Sequence, residues 1–350
     1  AALLLAAGAP PATVAATHHP LLMDTHPPEV RVRVLSIYRA ADAIGNIAGP
    51  LLVAFLAAIM GFTWRGIFIA LGVVSVAGAI VSLGLRDPGV GKWDSGRVRE
   101  TVAGPLAPEV EQVKLGFFEV MQRLLLIPTV RRIFMASAVA GAFLVPLNTF
   151  FFFFLEERWG LGPGGRALFF TVLPIFAIIG FALLGRRGDA LFQRSPASFV
   201  KATAVLLGVG TTLIAISVFS PVLGGLVVLF GLGSACFALL TVSLTMTLLS
   251  IVPAAMRPHA AALNGIFAAA VGGFGGILLL GGVESAFGAT VAIGMLIVPG
   301  IASAIVLWTA SRTVESDFDR MIDQLVEEEE LRRVFNLGIG YCAVVADPGE

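Results

Sequence analysis

Apolar residues occur in this chain as long runs separated by polar connections. Eight runs reach the roughly 20 residues that an α-helix needs to cross a bilayer. They lie near 34–60, 64–85, 132–155, 167–185, 199–219, 222–250, 260–283 and 287–311. A ninth, near 1–22, is broken by Pro10, Pro11 and His18-His19 and reads as a truncated span. Most connections are short. One is long, residues 86–131, and carries Pro88, Gly89, Gly91, Gly96, Pro105 and Pro108. It leaves three helices before it and six after. Its second half, Glu109 to Ile127, mixes charged and apolar residues at helical spacing, which predicts a helix lying along the membrane surface.

Loop charge gives the expected orientation, because cytoplasmic loops of membrane proteins are enriched in Lys and Arg. The chain has 23 Lys and Arg. With alternate loops assigned to opposite sides, all but Arg65, Arg158 and Arg166 fall on one side. The long loop and the C-terminal tail are therefore expected in the cytoplasm, in a multi-pass protein of the plasma (inner) membrane. A missed or extra helix would scramble this alternation, so the split also supports the helix count.

Composition agrees. Hydrophobic residues make up 57% and charged residues 13%, against about 25% charged in soluble domains. The 40 glycines suit transmembrane helices whose backbones approach closely. Net charge is zero, which gives no basis for a polyanionic partner, and no nucleic acid is expected. Cys236 lies in an apolar run and Cys342 in the polar tail, so no structural disulfide is expected. The first residue is Ala, with no basic segment before the apolar opening. The N-terminus is read as a cut.

There is also a repeat-like correspondence. Pro27-Pro28-Glu29-Val30-Arg31 leads into a helix with Gly45, Gly49 and Pro50. Six helices later, Pro253-Ala254-Ala255-Met256-Arg257 leads into a helix with Gly265, Gly272, Gly273, Gly275 and Gly276. A six-helix period in parallel orientation is what two like-oriented halves would give.

These features resemble the major facilitator superfamily, over about residues 1–312. His26-Pro27-Pro28-Glu29-Val30-Arg31-Val32-Arg33 resembles its loop between helices four and five. Gly45-Asn46-Ile47-Ala48-Gly49-Pro50 resembles the core of its fifth-helix motif. Val53-Ala54 replace a Gly pair of antiporter-type members, which weakens an inference of drug/proton exchange. Trp64-Arg65-Gly66-Ile67-Phe68 resembles the start of helix six. Gly185-Arg186-Arg187-Gly188-Asp189 resembles a reduced second-half copy of the Gly-x-x-x-Asp-Arg loop motif, with Ala190 in place of the Arg. The resemblance implies an all-α polytopic membrane protein: about nine transmembrane helices, the last nine of a twelve-helix two-bundle transporter fold. Residues 1–85 would be the remainder of the N-terminal bundle and 86–131 the central cytoplasmic loop. Residues 132–311 would be the C-terminal six-helix bundle and 312–350 a cytoplasmic tail. The tail from Ile322 to Arg333 is similar to actinobacterial proteins that fuse such a domain to an ATP-binding cassette. Val334-Phe335-Asn336-Leu337-Gly338-Ile339-Gly340 is similar instead to a segment of aminoimidazole ribonucleotide synthetases.

The implied activity is transmembrane transport of an unidentified small solute by alternating access, with a proton or other ion as a possible coupling partner and no cofactor. The alternative is a non-transporting anchor or sensor coupled to a C-terminal partner such as an ATPase. With three helices missing, the chain as given is not expected to transport by itself. No enzymatic constellation is present.

Charged groups inside a membrane helix cost about 2.5–3.5 kcal/mol on the insertion scale, so each needs a reason. Asp42 lies ~18 Å into its helix from Val30, with Arg39 at i−3 placed to pair with it. The pair reads either as a coupling carboxylate or substrate contact, or as a structural ion pair. Asn46 lies one turn further on. Asn148, beside the backbone-freeing Pro146, reads as a substrate contact or an interhelical bond. Asn264, next to Gly265, reads as a packing residue or a site residue. Gly45, Gly49, Pro50, Gly185 and Asp189 are the conformational and gating candidates. Blander readings hold elsewhere. Thr241, Ser243, Thr245 and Thr247 are expected to bond to their own helix. His18 and His19 are expected at the interface, without a metal. Glu156 and Glu157 are expected to be solvated near Trp159. The Phe150–Phe154 run is expected to be bulk facing lipid or the bundle, and Gly272–Gly276 to serve helix packing.

Overall fold

The structure is a computed structural model that describes residues 16–84 and 116–335. Residues 16–25 are helical. The helices that follow are α1 (Arg31–Ala58), α2 (Trp64–Ser82), α3 (Phe117–Leu126), α4 (Pro128–Trp159), α5 (Pro163–Arg194), α6 (Pro196–Ser217) and α7 (Leu223–Ser250). Then come α8 (Arg257–Ile266), a π-helical segment (Phe267–Gly273), α9 (Phe274–Phe287), α10 (Ala289–Met295), α11 (Ile297–Ala310) and α12 (Val314–Phe335). Taken with their continuations, eight are long and apolar enough to cross a membrane, and they match the eight full runs.

The sequence sets many of the ends. Pro128, Pro163 and Pro196 occupy the first turns of α4, α5 and α6, where a missing N–H costs nothing and the fixed φ suits the helix. Ser195 accepts from the Ser198 N–H at 3.1 Å and caps α6. Gly160, with φ 62°, closes α4 in the left-handed conformation that glycine adopts without penalty.

Two elements depart from the apolar pattern. The run near 260–283 is one hydropathic unit but not one α-helix: a π-helical turn interrupts it. This turn coincides with a crossing against α4 so close that a Cβ on Gly272 would collide with the Ala138 carbonyl, and one on Gly141 with the Ala268 carbonyl. Small residues permit that approach. Within the stretch Glu109–Ile127 a helix is present, α3, Phe117–Leu126; residues 109–115 lie outside the described residues. It buries Val120 and Leu124 and exposes Phe117, Phe118 and Leu126.

Two apolar cores organise the molecule. The larger joins α4, α5, α6, α7 and α11 around Phe134, Phe143, Phe151, Leu207, Leu226 and Leu307. The Phe run splits as its helix turns. Phe151 and Phe154 are buried, and Phe152 and Phe153 are exposed. The smaller core lies where the N-terminal helices meet α5 and α7. Met23, Val32, Leu35 and Ala43 enter it from one side, and Ala177, Phe181, Val242 and Met246 from the other. Helix α1 packs chiefly on α5, then on α7. Helix α2 touches α1 across their turn and presents Phe68, Ile69, Val73, Val76 and Val81 outward, as a lipid-facing helix does.

Candidate functional site

At 100° per residue, α1 presents three faces. Val32, Leu35, Ser36 and Ala43 are buried against α5 and α7. On one flank lie Ile37, Ile44 and Leu51, seven residues apart and all exposed. On the opposite flank Tyr38, Asp42 and Asn46 follow at four-residue intervals, with Asp42 and Asn46 exposed. A membrane helix with one apolar and one polar exposed flank has two environments, since a polar side chain in hydrocarbon is costly and an apolar one is not.

The structure brings several candidates together on the polar flank. Arg39 Nη1 lies 3.9 Å from Asp42 Oδ2, the i,i+3 pair expected from spacing, and the Asp42 side chain is 64% exposed. Tyr38 Oη lies 2.9 Å from His18 Nδ1. Tyr38 also receives the edges of both His18 and His19 in T-shaped contacts. His19 is buried within the protein, and its Nε2 has no hydrogen-bond partner among the described residues. Its place on the inner face of 16–25, one turn before buried Met23, carries it inside. Among the described residues no His, Cys, Asp or Glu cluster has metal-site geometry.

A second constellation ties α1 to the end of α5. Asp189 is buried in the last turns of α5, and its Oδ1 accepts from the N–H of Val32 at 2.9 Å and of Arg33 at 3.3 Å. Arg33 Nε stands 3.6 Å from Asp189 Oδ2. The carboxylate therefore caps the N-terminus of another helix, where free N–H groups and the positive end of the helix dipole favour an anion. Gly188 permits the contact: a Cβ there would lie 2.6 Å from Val32 Cγ1. Gly185 packs on Arg33 at ordinary distance. The same device recurs at α4, whose Thr129 N–H donates to Asp317 Oδ2 at 2.8 Å. Arg132 adds bonds to the Thr309 carbonyl and Thr313 Oγ1, each at 2.9 Å.

The remaining candidates separate. Asn264 Oδ1 accepts from Ser137 Oγ at 2.7 Å, a link between α8 and α4. Asn148 lies in α4, but its side chain falls outside the described residues. Gly45 and Gly49 have no described neighbour within 4 Å of an added Cβ, and α1 continues through Pro50 to Ala58. Thr241 and Thr247 donate to the carbonyls of Ala238 and Ser243 in their own helix. Glu156 and Glu157 are exposed, as expected, and Glu156 is also held by Arg166, whose guanidinium stacks over Phe152 at 4.5 Å. That bond crosses the α4–α5 turn, a proximity that spacing along either helix does not reveal.

One constellation has almost no sequence signal. Asp24 and Arg257 form a buried ion pair, Oδ1 to Nη1 at 2.9 Å. Arg257 Nε also donates to the Leu249 carbonyl at 2.8 Å. Arg31 is buried at the head of α1 and donates to the carbonyls of Met23 and His26. Arg31 and Arg257 each follow a Pro-containing turn.

Among curated proteins none matches the chain in sequence. Several solved structures share its fold, among them two transporters. The human organic anion transporter MFSD10 (TETRAN) superimposes with a TM-score of 0.60 and 15% identity, covering 84% of this chain and 67% of that one. A bacterial homolog of the human lysosomal transporter Spinster, in an inward-facing and unoccupied conformation, gives 0.55 and 18%, covering 86% and 74%. At these identities the likeness is one of fold. The model of the Major Facilitator Superfamily matches residues 1–278, and with the helical architecture and transporter-like fold above, the chain belongs to that superfamily.

Proposed function

We propose that the protein carries a small solute across a membrane by alternating access. In this reading the N-terminal helices and the α4–α11 bundle rock about the α1–α5 seam, and the transporter is a multi-pass protein with the Asp189 end of α5 in the cytoplasm. The observation that carries the reading is the Asp189 cap on α1. It joins residues 157 positions apart through hydrogen bonds that can break without unfolding either helix. A contact of that kind can hold one end of a carrier shut and release it.

The polar flank of α1 supplies the solute-facing groups. Asp42, Arg39 and Asn46 line it, and Tyr38 with His18 extends it toward the Asp189 end. Arg39 and Asp42 together can meet a zwitterionic or hydrogen-bonding solute, and Asp42 can take up a coupling proton. Of the two solved transporters only MFSD10 is named for a cargo, an organic anion, so the solute is left at the level of a small molecule.

The test pairs transport with conformation. Spin labels at Ala40 and Ala182, on either side of the seam, report its opening. Asp189→Asn is expected to shift the distance distribution toward separation, and proteoliposomes of the longest reading frame are expected to accumulate a solute. An unchanged distribution with no solute moved from a broad panel would sink the proposal, and would leave a membrane anchor or sensor as the alternative.

A further inference from the structure

On the flank of α1 opposite the polar stripe, α1 and α5 enclose an open groove of about 520 Å³. Its composition is divided. At one end stand three guanidinium groups, Arg33 from α1 and Arg186 and Arg187 from α5. Toward the other end its walls are apolar, formed by Ile37 from α1 and Ile178 and Leu183 from α5. Ile37 lies one turn beyond Arg33, and Leu183 about one turn before Arg186, so the apolar walls run ~5–6 Å deeper along both helices than the charges.

The charges are only partly compensated. Arg33 has Asp189 within ion-pair distance, but at 3.6 Å and without a hydrogen bond from its Nε. Arg186 and Arg187 are exposed and form no ion pair among the described residues. Among the described residues no acidic side chain lines the groove. An excess of cations beside apolar helix faces is an arrangement that an anionic amphiphile completes.

We propose that this groove binds an anionic phospholipid, with the phosphate held by Arg33, Arg186 and Arg187 and one acyl chain laid along Ile37, Ile178 and Leu183. Basic pockets between transmembrane helices near the membrane surface recognise anionic headgroups in this way, and guanidinium is the side chain best matched to phosphate. The chemistry selects a lipid over a free anion because the groove continues as hydrocarbon wall beyond the arginines. A lipid seated there touches both helices of the seam and adds a bridge across it. This inference rests on the groove and on the membrane setting, and holds whether or not Asp189 gates transport.

The test uses the whole chain in nanodiscs of phosphatidylcholine containing a minor fraction of phosphatidylglycerol, with retained lipid counted by native mass spectrometry. Wild type is expected to retain phosphatidylglycerol in excess of its share. Each arginine near an anionic surface is worth roughly fivefold, so Arg186→Gln/Arg187→Gln is expected to reduce the preference by roughly twenty-five-fold. Ile37→Trp keeps all three arginines but fills the groove, and is expected to reduce it as well. Arg158→Gln, at the far end of the bundle, is expected to leave it unchanged. Excess inorganic phosphate is expected not to displace the lipid. Equal retention of both lipids by wild type, or an undiminished preference in both groove variants, overturns the proposal. Full displacement by inorganic phosphate also overturns it, by assigning the arginines to a free anion.

Discussion

Asp24 and Arg257, 233 residues apart, meet as a buried ion pair at 2.9 Å, with the Arg257 side chain 1% exposed. Arg257 also holds the Leu249 carbonyl at the end of α7. It thus joins the 16–25 helix, the α7 terminus and the head of α8. Removing one member of such a pair takes a buried counter-charge from the other. Arg257→Ala is therefore expected to cost about 3–5 kcal/mol, and Asp24→Asn/Arg257→Gln together less than Arg257→Ala alone. Thermal unfolding in detergent, followed by tryptophan fluorescence, reads both.

The Asp189 cap makes a second prediction. Asp189→Ala removes the acceptor for the Val32 and Arg33 N–H groups and is expected to cost about 1–2 kcal/mol, the range of a lost helix cap. Gly188→Ala is expected to disturb the same seam by a different route, since its Cβ would lie 2.6 Å from Val32 Cγ1 and overpacking costs about 1–3 kcal/mol. Cysteine introduced at Ser36, buried at the seam, is expected to become reactive to a maleimide in both variants and to stay protected in the parent.

Glycines a few residues apart around the π segment are expected to behave oppositely. At Gly272 a methyl group would meet the backbone of α4, whereas at Gly275 nothing lies within 4 Å. Gly272→Ala should lower the melting temperature. Gly275→Ala should be neutral or raise stability by up to ~1 kcal/mol, because alanine loses less backbone entropy in a helix. Equal effects at the two sites would contradict the close crossing of α4 and the π segment.

Asp42 is the sharpest functional prediction. Its partner Arg39 is 3.9 Å away and its side chain is 64% exposed, so the pair contributes little to folding. Asp42→Asn is expected to leave the melting temperature within the ~0.5 kcal/mol of an ordinary surface change. In proteoliposomes of an active full-length form, the same variant is expected to lower uptake by roughly tenfold or more, equivalent to ~1.4 kcal/mol lost in the transport cycle. A loss of stability matching the loss of uptake would return the pair to a purely structural role.

Much of this protein was legible from the chain alone. Eight spans and the Arg39–Asp42 pair follow from local rules: apolar run length and i,i+3 spacing. Such features depend on residues within one or two turns of each other, so sequence order already contains them. The tertiary structure decided what depends on distance across the fold. It set which face of α1 turns to α5, why Asp189 finds the Val32 and Arg33 amides, and that His19 is buried. It also placed Glu156 against Arg166, inserted the π turn opposite α4, and joined Asp24 to Arg257. Helix packing angle and rotation bring those groups together, and neither is encoded in the period of a helix that is apolar nearly all round. A soluble helix announces its inner face through a polar outer one; a membrane helix is apolar toward lipid and core alike, so its contacts appear only once its neighbours are in place.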